Sequence, residues 1–402
     1  MKSLNFDIII APSTEERYEI SAISDGKPAR CKSEAPSNLT EEVAELQRAI
    51  FRSARSTRRD VTPGPSVHSP TAPLGVDVHE YHACEQFIKN LGKRLFDFLF
   101  AGEVGESYRK TLDNANREGR SVRLNLHIDE RARSLASAPW EALYDPRLRT
   151  FLTTRLDTQF TRTVGLASAP ISKPRRLHIL GMIASPTEFR GRPVTPIGGT
   201  ERDGIVSALE PLEQRGRAKL QWTQSGSLRD LVRGLRRSNL RPTAHAGDRE
   251  PWGVFHFIGH GDFDSSRSLG FVLMEGEGAS GGQPCYADDL ASVLCIPGGP
   301  QLVVLNACNG ALSTSGDIFN STAALLALSG IPAVIAMQFP VTDKTATYFA
   351  EKLYDELADG VSIQEALVNT RVHLRSHLCP EWVTPVLYLA GSDGELVRKP
   401  FG

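Results

Sequence analysis

From residue 177 to residue 389 the sequence repeats a short apolar run, a loop and a helical pattern, and this alternation restricts the fold more than any other feature. Residues 177–184, 253–258, 302–305, 332–337 and 386–389 read as strands, and most are apolar on both sides rather than on alternate positions. Strands of that kind belong in a sheet covered on both faces, with the intervening helices as crossovers of a mainly parallel α/β architecture. One such helix is expected from about Glu201 to Gln214. Another carries Ala346, Phe349, Leu353 and Leu357 on one face and stops at Asp359-Gly360. Ser362 and Glu365 then have the spacing of a capping box that starts the next helix.

The first part of the chain reads differently. A strand-like run covers residues 4–10, and a helix from about Leu39 shows Leu39, Val43, Leu46 and Ile50 at helical spacing. A second long helix, roughly 79–100, has its apolar stripe at Cys84, Phe87, Ile88, Leu91, Leu95 and Leu99. Between them, residues 53–77 contain Pro63, Pro65, Pro70 and Pro73 with Gly64 and Gly75, the composition of an exposed loop. Residues 121–128 alternate as Val122, Leu124, Leu126 and Ile128, a half-buried strand. Small residues and two prolines at 168–174 mark a boundary. The expected division is therefore a smaller α+β module over 1–169 and an α/β domain over 170–402.

Several functional classes are disfavoured. The 402 residues carry a formal net charge of −1, with nothing to recruit nucleic acid or an anionic membrane. The four arginines Arg52, Arg55, Arg58 and Arg59 adjoin the Pro-rich stretch without interleaved aromatics, as in a solvated loop. No apolar run is long enough to span a bilayer, and the N-terminal run lacks a signal-peptide pattern, so a cytoplasmic location is expected. The six cysteines form no C-x-x-C pair, which suits free thiols in a reducing compartment. His79, His82 and Cys84 do not complete a tetrahedral metal set, and the Gly-rich stretch 276–282 lacks the lysine of a P-loop. No metal and no organic cofactor is expected.

Reactive groups in α/β sheets collect at the carboxyl ends of strands. Two of the expected strands end in such groups flanked by small residues: Gly259-His260-Gly261 after 253–258, and Asn306-Ala307-Cys308-Asn309-Gly310 after 302–305. A thiol at its ordinary pKa is mostly protonated at neutral pH and needs an adjacent imidazole to become a nucleophile. Neighbouring parallel strands supply that pairing without sequence adjacency. The amides of Gly261 and Cys308 are the candidate donors of an oxyanion hole. His256 falls inside its strand and reads as a buried, hydrogen-bonded histidine outside the catalytic set.

These motifs resemble the CHAT domains, relatives of caspases and separases. The resemblance rests on Phe255-His256-Phe257-Ile258-Gly259-His260-Gly261 and on the run from Leu302 to Gly310. It continues at 323–328 with Gly330, at 333–343, and at Trp382-Val383-Thr384-Pro385-Val386-Leu387-Tyr388. Upstream, Ala138-Pro139-Trp140-Glu141-Ala142-Leu143-Tyr144-Asp145-Pro146 is similar to a tryptophan motif that often precedes the core. Trp140 and Trp382 themselves read as packing residues.

The resemblance implies a caspase-like fold for 170–402 and a catalytically silent partner module before it. It also implies a cysteine endopeptidase with His260 as general base and Cys308 as nucleophile, acting on an intracellular protein. The family's setting implies prokaryotic defence and an activating sensor protein or a processing step, with 53–77 and 311–320 as candidate cleavage loops. The residue two before the nucleophile lines the pocket for the side chain before the cut in caspase relatives. Here it is the neutral Asn306, and the candidate pocket carboxylates are Asp262, Asp264, Glu201 and Asp203. Separase-like relatives cut after basic residues, which favours Arg or Lys. A silent caspase-like scaffold module is the main alternative, and a thioesterase or acyltransferase on the same dyad is a weaker one.

Overall fold

The structure is a computed structural model. It describes residues 3–14, 17–56, 77–164, 174–197, 199–238, 252–276, 281–307, 317–390 and 394–397. These fall into two compact units: Met1–Phe160 with Val368–Thr384, and Thr161–Leu367 with Pro385–Gly402.

The first unit is α+β. Its strands are β1 (Leu4–Pro12), β2 (Arg17–Ser24), β3 (Lys27–Glu34) and β4 (Val122–Ile128), with helices α1 (Leu39–Ser56), α2 (Val78–Leu99) and α3 (Gly102–Glu118). β1 pairs antiparallel with β2 and parallel with β4, and β2 pairs antiparallel with β3. The β2–β3 turn is Asp25-Gly26, both at positive φ of 49° and 72°, the backbone that suits a tight hairpin. α1 extends through Ser56, so the first residues of the expected 53–77 loop are helical, and 57–76 lie outside the described residues.

The stripe expected on α2 is buried at Cys84, Ile88, Leu91, Leu95 and Leu99, with Phe87 half-buried. His79 and His82 are exposed. Gly92 on this helix meets the tryptophan motif directly: an added Cβ would lie 1.9 Å from the Ala142 carbonyl oxygen. Trp140 is fully buried, and its Nε1–H donates to the Leu135 carbonyl at 2.9 Å. Gly92→Ala is therefore expected to destabilise the chain by about 2–4 kcal/mol, because backbone rather than a side-chain tip must give way. A urea midpoint unchanged from wild type would contradict this packing.

Short strands β5 (Tyr144–Asp145) and β6 (Thr150–Phe151) form a hairpin, and β7 (Thr158–Thr163) leads into the second unit. The sheet strands of the second unit are β8 (Leu177–Ile183), β11 (Ala218–Trp222), β12 (Val254–Asp264), β15 (Leu302–Ala307), β16 (Ala333–Met337) and β17 (Pro385–Leu389). The small strands β9 (Glu188–Phe189) and β10 (Arg192–Pro193) pair with each other. β13 (Leu269–Glu275) and β14 (Gly282–Tyr286) form an antiparallel extension of β12. The helices are α4 (Gly199–Gln214), α5 (Leu228–Ser238), α6 (Ala287–Leu294), α7 (Asp317–Leu328) and α8 (Asp343–Ala358), while α9 (Ile363–Ser376) begins in this unit and belongs to the first from Val368 onward.

The sheet order is β11-β8-β12-β15-β16-β17, parallel except at β16–β17, and β17 pairs parallel with Arg162 and Thr163 of β7. This is the expected mainly parallel α/β arrangement. On one sheet face Phe255, Phe257, Val303, Leu305, Val334 and Ala336 pack with residues of α5, α6 and α7. The period-two alternation sends His256, Ile258 and His260 to the other face, which α4 and α8 cover. α8 ends at Asp359-Gly360, with Gly360 at φ 75°, and Ser362 Oγ accepts the Glu365 N–H at the start of α9. Among the described residues, no helix is long and apolar enough to cross a membrane.

Candidate functional site

β12 does not end at Ile258, as the sequence pattern suggested, but runs on to Asp264 and changes partners on the way. Up to Gly259 it pairs parallel with β15, with Ile258↔Asn306 and Gly259↔Ala307 in register. From His260 onward it pairs antiparallel with β13, beginning at His260↔Leu273 and Gly261↔Val272. His260 thus stands where the strand leaves the parallel sheet. No proline interrupts the strand there, so it runs on from one partner to the other without stopping.

The His260 ring is buried, at 3 % exposure, and its Nε2–H donates to the Thr195 carbonyl at 2.8 Å. In the neutral ring this places the proton on Nε2 and the lone pair on Nδ1. Thr195 is held by its neighbours. The Val194 N–H donates to the Thr187 carbonyl at 2.9 Å, and the Ile197 N–H donates to Ser185 Oγ at 2.9 Å. Val194 also packs with Phe189, Phe271, Leu273 and Tyr286. A backbone carbonyl carries no residue-type signal, so nothing in the sequence marks Thr195 beforehand.

His256, two side chains earlier on the same face, is fully buried, and its Nδ1 lies 2.5 Å from the Tyr354 hydroxyl of α8. Burial pushes its pKa down to about 3, so it is neutral at ordinary pH. This matches its reading as a structural histidine.

The structure brings two of the expected pocket residues together. Asn306 on β15 donates from Nδ2 to Glu201 Oε1 on α4, and both residues are about 1 % exposed. Burial first, and then the Asp343 carboxylate, push the Glu201 pKa up to about 8, against the lowering effect of the Asn306 bond. Among the described residues, Asn306 Oδ1 is buried without a hydrogen-bond partner. The neutral Asn306 amide is therefore paired with a carboxyl group that itself holds its proton at neutral pH.

The other carboxylates are placed apart from that pair. Asp203 lies exposed on α4. The half-buried Asp262 accepts its neighbour's Phe263 N–H at 2.7 Å. Asp264 accepts from the Tyr286 hydroxyl at 2.9 Å and from Ser266, and these bonds hold its pKa down to about 2. Arg190 lies 3.5 Å from the same carboxylate, giving Asp264 a structural role in the β12–β14 extension. Cys308 lies outside the described residues, as do residues 311–316 of the expected cleavage loop, while α7 begins at Asp317.

The fold is a mainly parallel α/β sheet covered by helices, with His260 at the point where β12 changes partners. The CHAT domain family model matches residues 89–390, and the chain belongs to that family. Among curated protein sequences, no match to the chain is found. Among solved structures it is similar to separase of Saccharomyces cerevisiae, seen in two crystal structures of the separase–securin complex. Both are 13 % identical, with TM-scores of 0.49 and 0.46, and in each the alignment covers 96 % of this chain. This chain spans about 30 % of the length of those separase chains.

Proposed function

We propose that this chain is a cysteine endopeptidase in which His260 is the general base and Cys308 the nucleophile, acting on a protein substrate. One observation carries the reading. His260 stands at the exit of β12 from the parallel sheet, and the neighbouring β15 is in register with it as far as Gly259↔Ala307. Cys308 follows Ala307 in the sequence, directly after that register position. The Thr195 carbonyl supports this role by holding the Nε2 proton, which leaves Nδ1 basic.

In the proposed reaction Nδ1 takes the thiol proton and the thiolate attacks the scissile carbonyl carbon. The amides of Gly261 and Cys308 donate to the resulting oxyanion. The imidazolium then gives its proton to the departing amine, leaving a thioester. Water, deprotonated by His260, adds to the thioester, and the thiolate leaves with the carboxylic acid product free. The Glu201–Asn306 pair is proposed to form the floor of the pocket for the side chain before the cut, with a preference for Arg or Lys. A partner protein or cleavage of a loop is proposed to switch the activity on.

Mapping of new N-termini in a lysate treated with wild-type protein or with Cys308→Ala tests the reading. The expected result is a small set of cuts present only with wild type, together with labelling of wild type by a thiol-directed peptide probe that depends on His260. A folded protein that neither cuts nor takes the probe, with or without lysate, would make it a silent scaffold of the same fold.

A further inference from the structure

A second concave surface lies on the opposite side of the sheet from the His260 face. α5 and the β13–β14 hairpin border a groove of about 560 Å³. Leu231 and Leu235 turn inward to the core, so the other face of α5 shows Arg229, Arg233 and Arg236 along the groove. Their spacing of four and three residues aligns them on one side of the helix. Arg233 reaches Asp230 at 3.2 Å. Among the described residues, Arg229 and Arg236 have no carboxylate within ion-pair distance, and both are exposed.

The floor between them is apolar: Leu228, Val232, Met274 and Pro284. Of the two carboxylates on the wall among the described residues, Glu275 is already engaged. Its Oε1 accepts the Ser185 N–H at 3.1 Å and its Oε2 accepts the Gly226 N–H at 2.9 Å. Asp289, exposed at the start of α6, is the other. The unmet charge of the groove is therefore positive, and it lies over apolar surface.

From this geometry we infer that the α5 groove binds an acidic peptide segment of a partner protein, with an apolar side chain seated among Leu228, Val232 and Met274 and carboxylates on Arg229 and Arg236. Arginine suits this role because its planar fork meets carboxylates in a bidentate way. Pro284 has no N–H to give an added strand, so capture rests on side chains rather than on extension of the sheet. Among the described residues no aromatic side chain lines the groove to stack on nucleic-acid bases. The floor residue Met274 follows Leu273, the partner of His260 across the hairpin, so an occupant would sit one strand from the candidate catalytic site.

The test uses the full chain carrying Cys308→Ala, so that binding is read without turnover. Fluorescence anisotropy would follow a labelled pool of short peptides holding several glutamates and two leucines, against a neutral pool with glutamine for glutamate. The expected result is binding of the acidic pool that weakens with added salt and falls at least about tenfold in Arg229→Glu/Arg236→Glu. Arg229→Gln/Arg236→Gln should show a smaller loss and decides the matter if the charge reversal does not fold. Equal affinity in a folded double variant, or no preference for the acidic pool, would overturn the inference. So would tighter binding of a single-stranded RNA that is lost on the same substitutions.

Discussion

Cys308→Ala and His260→Ala are each expected to lower peptide cleavage by at least about a thousandfold while leaving the protein folded. Nucleophile and base act as one unit, so removal of either takes away the whole covalent route. The double variant should then be no slower than either single one. His260 also donates to the Thr195 carbonyl, so its loss frees that acceptor and a modest stability change should accompany His260→Ala. Cys308→Ala has no such expectation. Kinetics on a peptide substrate, with circular dichroism and a denaturation curve for each variant, check both statements. Substantial turnover by folded Cys308→Ala would remove Cys308 from the mechanism, and additive losses in the double variant would separate the two residues.

Glu201→Gln is expected to change specificity and pH dependence together. Glutamine keeps an oxygen that accepts the Asn306 N–H and removes the ionisable group. If the carboxyl lies at the floor of the pocket, a bound Arg or Lys draws its proton off and takes it as counter-charge, so cleavage after Arg or Lys should fall by about a hundredfold in the variant. Cleavage after a neutral residue should change little. If Glu201 only braces the strand that leads to Cys308, all substrates should be affected alike, and weakly. Assays on matched Arg and Leu peptides distinguish these results.

The stability effect has a definite sign. Folding raises the Glu201 pKa from its ordinary value of 4.5 to about 8, so the folded state holds a proton that the unfolded state releases between those values. Its contribution to stability is full below about pH 4.5, declines as pH rises through that window, and is at its lowest above about pH 8. Glu201→Gln removes this decline, worth on the order of a few kcal/mol. The variant should therefore gain stability relative to wild type as pH is raised from 5 to 9. A constant difference between them across that range would contradict the buried, proton-holding carboxyl.

Where the sequence was legible, the pattern was short-range. Period-free apolar runs such as Leu302–Leu305 identified buried parallel strands, and the Ser362–Glu365 spacing marked the start of α9. The Asp25-Gly26 hairpin was missed: few residue pairs accept two positive φ angles, but the weak alternation of the strands beside it hid that signal. α5 was harder to see. Its apolar side chains are Leu228, Leu231, Val232 and Leu235, and four of the other seven positions are arginines, so its helical state depends on the core it covers.

By itself the sequence determined the α/β class, the positions of β1, β4, β8, β15, β16 and β17 with the start of β12, and the two residue types able to do thiol chemistry, because apolar periodicity and chemical identity are local properties of the chain. Tertiary structure decided which groups meet. It carried β12 past Gly259 into a second pairing and set the Thr195 carbonyl on His260. It also joined Glu201 to Asn306 across 105 positions of sequence. It returned residues Val368–Thr384 to the first unit as well. Contacts of that kind depend on register and on how helices close over a sheet. Burial energy is non-directional and leaves little trace of such pairings in the order of the residues.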